Sequence, residues 1–225
     1  MEGFKNSMIE LISLGPNCHT AGVLQKLNYK KCSYPFDWML SNLSIVTYSI
    51  QNEFIDFIDR TNYIQTVDNK ITLKNTNITY LGNMFVHKNP IMNKEDFEYY
   101  LRCVSRFKNL KSTNSCKLFV YTSYNNECLN ENFKNDITLL NNVLKIFTDN
   151  KFYILILNYL NVDNNEQNTY NYIITNEYIV LNINLIYDPK ICQTTDKQVY
   201  SKAILHFFTK CNPIEEICDK IKNMI

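Results

Sequence analysis

The residues with the most chemistry to offer lie in one short stretch, Ile12-Ser13-Leu14-Gly15-Pro16-Asn17-Cys18-His19-Thr20. Residues 8–14 form an apolar run that reads as a strand, and Gly15-Pro16-Asn17 stops it. Helical spacing follows, with Ala21, Val23, Leu24 and Leu27 on one stripe that ends near Asn28. Cys18 therefore stands at the start of a helix, just past the carboxyl end of a strand. In open α/β sheets that end is where ligands bind. A helix start also offers unpaired N–H groups and partial positive charge. Such surroundings favour a thiolate and can hold an oxyanion or a phosphate. Cys18 is on this ground a candidate nucleophile. The alternative is a small buried thiol packed under the helix.

A nucleophilic thiol needs a base. His19 adjoins Cys18, so on a helix the two side chains point about 100° apart and a capping or solvent role suits His19 better. His87 follows the apolar Met84-Phe85-Val86 and precedes Lys88-Asn89-Pro90, which places it at a strand end or loop and makes it the better base. His206 lies in Ala203-Ile204-Leu205-His206-Phe207-Phe208 and is assigned to packing or a helix surface. Asp37, between Phe36 and Trp38, is expected to be partly buried and hence paired. It can orient an imidazole or cap the next helix. Arg102 and Arg106 are one helical turn apart and share a face. They suit a bidentate clamp on a phosphate or carboxylate, or, equally, surface ion pairs with Glu98 and Asp96.

Composition sharpens some of these choices. The chain has 33 Asn, 25 Ile and 20 Lys against 4 Gly, 3 Arg and 1 Trp, the signature of A/T-rich codons. Under that drift a retained Arg marks a place that uses the planar guanidinium. The same argument draws attention to Gly15, Gly82 and Trp38. The 225 residues carry a net charge of +1, are 45% hydrophobic and 13% aromatic, and so can bury a core without staples. A broad electrostatic grip on nucleic acid or anionic lipid is not expected. No run of 18 apolar residues suggests a membrane span, and the first residues do not read as a secretory signal. The eight Cys are scattered, without C-x-x-C pairs or zinc spacing, so free thiols in a reducing, cytoplasmic setting and no metal or cofactor are expected.

The elements that must position these residues alternate. After the Cys18 helix, residues 32–40 are compact and aromatic, and Pro35 excludes a central strand there. Residues 42–58 read as an amphipathic helix, 61–87 as two or three short strands, and 93–111 as a helix capped by Asn93. Then come strand 116–122, helix 137–147, strand 151–157, a polar loop at 161–171, strand 178–183, and helices at 199–209 and 214–225. Strands alternating with helices predict one three-layer α/β domain over 1–225. It is Rossmann-like, with a mostly parallel sheet and a β excursion at 61–87. No G-x-G-x-x-G, Walker, H-E-x-x-H or G-x-S-x-G motif is present.

Three segments together resemble a known family, a domain of unknown function described as papain-like cysteine peptidases and found in bacteria and large DNA viruses. Its pattern is S-L-G-x-x-C, a helix of the A-x-x-L-x-x-L kind, then S-Y-P-F-D-W. Here these stand at Ser13 to Cys18, Ala21 to Leu27 and Ser33 to Trp38. A later His after an apolar run and a helix with paired Arg correspond to Phe85-Val86-His87 and Arg102 to Phe107. The resemblance covers about residues 8–125. It implies a Cys–His enzyme with Cys18 as nucleophile and His87 as base. Where the family usually has Asp after the His this chain has Lys88, so Asp37 is the substitute third member. Papain itself sets its Cys helix against an antiparallel barrel, unlike the alternation read here. With the codon bias, the resemblance also implies a viral protein of the host cytoplasm or virion.

Two functional classes follow, with a third beside them. The first is a cysteine hydrolase or acyltransferase acting on a peptide or acyl substrate. The second is a glycan-building glycosyltransferase. There Gly15, Asn17 and Cys18 line the sugar-nucleotide pocket, Arg102 or Arg106 holds the diphosphate, and Asp37 or His87 is the base, with Trp38 beside the substrate. Asp56-Phe57-Ile58-Asp59 has the wrong spacing for a D-x-D metal motif. The third is a non-catalytic viral interaction module on an enzyme fold.

Overall fold

The computed structural model describes residues 9–65, 70–74, 83–124, 127–149, 151–162, 169–186, 207–208 and 210–224. Its main sheet has five strands: β1 (Ile9–Gly15), β4 (Cys116–Tyr124), β5 (Phe152–Val162), β6 (Thr169–Ile174) and β7 (Ile179–Ile186). They lie in the order β1-β4-β5-β7-β6. β1, β4, β5 and β7 are parallel, and β6 pairs antiparallel with β7 at the edge. A separate antiparallel pair, β2 (Tyr63–Gln65) and β3 (Ile71–Leu73), is the β excursion.

Alternation along the strands feeds two cores. Ile12, Leu14, Phe119, Tyr121, Ile154 and Ile156 face α2 (Leu43–Gln51), α3 (Lys94–Asn109) and α4 (Glu131–Phe147). Leu11, Leu118, Val120, Leu155, Leu157 and Leu181 face α1 (Cys18–Lys26), Phe207, Phe208 and α5 (Pro213–Met224). The result is the expected α/β arrangement, a mostly parallel sheet between helical layers. On the α3 side the core is aromatic. Phe107 stands 5.2–6.2 Å from the rings of Tyr34, Phe36, Phe54, Phe119 and Phe147, in edge-on or tilted contacts.

Several elements differ from their sequence-based bounds for physical reasons. The helix expected over 42–58 ends at Gln51, because Glu53 and Phe54 take positive φ. The chain turns there so that Phe54 and Phe57 can both be buried. The helix expected from 137 begins at Glu131, capped by Asn130, since its first turn is polar and hides the apolar period. The polar stretch 161–171 contains the end of β5 and the start of β6. The helix expected over 199–209 and His206 lie mostly outside the described residues; Phe207 and Phe208 are helical and buried.

β1 is an edge strand, and a strand edge needs cover. Residues 34–41 run along it. The Ser41 N–H donates to Pro16 O at 2.8 Å, and the Ser41 hydroxyl donates to Leu14 O at 3.2 Å. The β1–β4 register slips between Ser13 and Gly15. Such a bulge re-aims the chain that follows it, and here that chain carries Cys18.

Candidate active site

The turn after β1 is built around Gly15. Its φ is +104°, and a Cβ at this position would overlap the Ser41 hydroxyl. Glycine is thus required for the 34–41 segment to close on β1. The Gly15–Pro16 peptide is cis. Asn17 then takes an extended conformation as the N-cap of α1, and its Oδ1 accepts the His19 N–H at 2.9 Å. Asn17 Nδ2 donates to the Tyr124 hydroxyl at 3.4 Å. Cys18 is the first residue of α1 and is half-buried.

Below the turn, the Thr20 hydroxyl donates to Gly15 O at 2.6 Å and lies 2.7 Å from the Thr122 hydroxyl. Thr20 has one hydroxyl proton, so Thr122 donates to Thr20. This pair pins the first turn of α1 to the end of β4. His19 points inward, 3.3 Å from the Tyr159 hydroxyl, with the two rings edge-on at 5.4 Å. Burial, with Lys26 nearby, lowers its pKa to about 4, so its imidazole is neutral at pH 7. This differs from the solvent or capping role read from sequence, because Asn17 does the capping. Tyr124 and Tyr159 are register partners at the ends of β4 and β5, with rings 5.9 Å apart. Burial raises the Tyr124 phenol.

The second and third motif segments join this turn through the backbone. Ser41 bonds Pro16, and the Leu40 N–H donates to Met84 O at 2.8 Å. Three residues after Met84, His87 meets Trp38 edge-on, ring centroids 6.4 Å apart. Trp38 is half-buried and His87 exposed. Cys18, Trp38 and His87 thus sit on three segments stitched together by main-chain hydrogen bonds. No hydrogen bond joins His87 to Cys18 or to Asp37 among the described residues.

Asp37 is fully buried. Its Oδ2 accepts the Tyr34 N–H at 2.7 Å, and it forms an ion pair with Lys30. Burial outweighs the Lys30 attraction and raises its carboxyl to about 6. Arg102 and Arg106 are both exposed on α3. Arg106 donates to Ser33 O at 3.4 Å, while Glu98 pairs with Lys94 and Asp96 with Lys88. The acids proposed as partners for the two Arg are therefore taken by lysines.

Sequence reading overlooked Thr122, Tyr124, Tyr159 and Lys30. The signal for the tyrosines was their position at the carboxyl ends of two apolar strands, on the same parity as the residues that face α1. An open cleft of about 680 Å³ lies at the opposite pole of the sheet, around Asn141, Lys145, Lys151 and Tyr178. It shares no residue with the Cys18 turn. No described helix is long and apolar enough to cross a membrane, and no described cluster of His, Cys, Asp or Glu could hold a metal ion.

No curated protein and no solved structure matches the chain. A family model does, over residues 9–162, the span that runs from β1 through β5 and contains Cys18, Asp37, Trp38 and His87. The chain accordingly belongs to the family described as "Putative papain-like cysteine peptidase (DUF1796)".

Proposed function

We propose that the protein is a cysteine hydrolase that cleaves a peptide or related acyl bond through a thioester on Cys18, with His87 as the proton carrier. One observation carries this reading. The Pro16–Ser41 and Leu40–Met84 backbone bonds bring the Cys18 turn, the Trp38 segment and the His87 segment together at the carboxyl end of β1. Family membership supports the same chemistry.

In this reading His87 removes the Cys18 proton as sulfur attacks the carbonyl carbon. The C–S bond forms and the carbonyl oxygen takes the electron pair. The Asn17 cap consumes the His19 N–H, and N–H groups left at the start of α1 receive the oxyanion. Collapse expels the amine, which takes the proton from His87. Water, giving a proton to His87, then attacks the thioester, and a carboxylic acid leaves with Cys18 regenerated. An amine or hydroxyl in place of water would make the same site an acyltransferase. His19 is a poor base. Its neutral imidazole, with pKa near 4, has little tendency to accept a proton at pH 7. Among the described residues no hydrogen bond joins His87 to Cys18, and catalytic hydrogen bonds commonly tighten only with substrate bound.

The test is to trap the acyl-enzyme. Incubation with p-nitrophenyl acetate followed by intact-mass and peptide mapping should show one acetyl group on Cys18, absent in Cys18→Ala and slower to form in His87→Ala. Acetylation spread over several thiols, or unchanged in rate in His87→Ala, would contradict the reading. A rise in melting temperature with a sugar nucleotide would then favour a transferase.

A further inference from the structure

Lys30 belongs to none of the sequence motifs, yet its ammonium contacts three residues of the Ser33–Trp38 motif. It pairs with the Asp37 carboxylate, donates to the Ser33 hydroxyl at 3.2 Å, and stands 5.2 Å from the centroid of the Trp38 ring. The pair is buried, with 7% of the Lys30 side chain and none of the Asp37 side chain exposed. Buried ion pairs gain little stability over apolar residues of similar size. This one is also incomplete, since Asp37 Oδ1 is buried without a hydrogen-bond partner. Stability alone is a poor reason to keep it. Trp38 also meets the His87 ring, at 87° to the indole plane. Among the described residues, no other ring, ion pair or hydrogen bond holds that imidazole.

We infer that Lys30 is a positioning residue for His87: held by Asp37, its charge clamps the Trp38 indole, and the indole orients the imidazole. This rests on the reading of Cys18 and His87 as a catalytic pair. It gives Asp37 a role at one remove, through Lys30 and Trp38 and not by touching His87. A cation over an indole face is an attractive contact that fixes the ring. A wall of fixed orientation is what an exposed imidazole needs to stay near a productive geometry.

A double-mutant cycle tests it, using the rate of Cys18 alkylation by iodoacetamide at pH 7, followed by mass spectrometry. Lys30→Met should slow alkylation by about 10- to 100-fold, the cost of a misplaced catalytic group. In the His87→Ala background the same change should add less than about a twofold effect, because its target is already gone. Lys30→Arg should restore most of the rate, since a guanidinium keeps both the charge and the stacking. Should Lys30→Met leave the carboxylate of Asp37 stranded and the protein unfolded, Lys30→Met with Asp37→Asn removes both charges. That folded variant should be slow too. Equal slowing with and without His87, or full rate in the neutral pair, would overturn the inference alone. An unchanged rate in His87→Ala would overturn both it and the reading beneath it.

Discussion

Gly15 stands at φ +104° with the Ser41 hydroxyl where a side chain would begin. Gly15→Ala should therefore cost about 1–3 kcal/mol of stability, the usual range for backbone strain. Urea denaturation would measure it, and a loss under about 0.5 kcal/mol, typical of an ordinary surface change, would show that Ser41 can move aside. Two titrating residues nearby pull stability in opposite directions. The Asp37 carboxyl is raised to about 6 from its ordinary 3.8. Its contribution is full below pH 3.8 and is lost as pH rises through about 6. The His19 imidazole is lowered to about 4 from 6.5. Its contribution is full above pH 6.5 and is lost as pH falls through about 4. In the wild type the two largely cancel between pH 4 and 6.5. Asp37→Asn should expose the His19 trend, so that acidification destabilises this variant more than the wild type. His19→Gln should do the reverse. Each difference is of the order of 3 kcal/mol, at about 1.4 kcal/mol per pK unit. Parallel pH curves for all three proteins would contradict these assignments.

Four helices begin with an asparagine cap, and two of these caps serve different ends. Asn17 caps α1 through the His19 N–H at 2.9 Å, and Asn42 caps α2 through the Ile45 N–H at 2.8 Å. Losing either cap should cost about 1 kcal/mol. Only Asn17→Ala should also slow Cys18 alkylation, because only α1 starts beside a thiol. Equal alkylation rates in the two variants would mean that the first turn of α1 does not activate Cys18. The caps themselves were legible in part. Asn93 stands where the spacing put it, accepting from Glu95 and Asp96 N–H groups. Strands β1, β4, β5 and β7 were readable as short, largely apolar runs, as strands buried on both faces are, and helix α3 because its apolar residues keep a helical period. β6 was not. Its burial pattern exposes nearly every other position or more, and it is held at the sheet edge by polar pairs such as Asn171 with Asn182. In a chain with 33 asparagines those residues read as loop. The early end of α2 was hidden for another reason. Positive φ at Glu53 and Phe54 leaves no mark on apolar spacing.

At the scale of the molecule, a parallel sheet carries the proposed chemistry at one end and an aromatic core along one face. Phe107 is the hinge of that core, with five aromatic neighbours drawn from the 34–36 segment, the turn after α2, β4 and α4. Phe107→Ala should cost about 3–5 kcal/mol and lower the melting temperature by roughly 10 °C for a chain of this size. A drop of only one or two degrees would mean that the core collapses around the gap. The site was partly legible at this scale. The sequence motifs named Cys18, Trp38 and His87, and the fold brings their segments together. The Lys30 contacts and the Tyr124–Tyr159 ring pair required three-dimensional neighbours that no local spacing reveals. We propose Cys18 as an activated nucleophile served by His87. Seven free thiols lie among the described residues, most of them buried, so a limiting amount of iodoacetamide at pH 7 is a direct probe. Peptide mapping should find Cys18 modified first, faster than the exposed Cys211, and slowed in His87→Ala. Cys211 reacting ahead of Cys18, or a Cys18 rate indifferent to His87, would contradict the account.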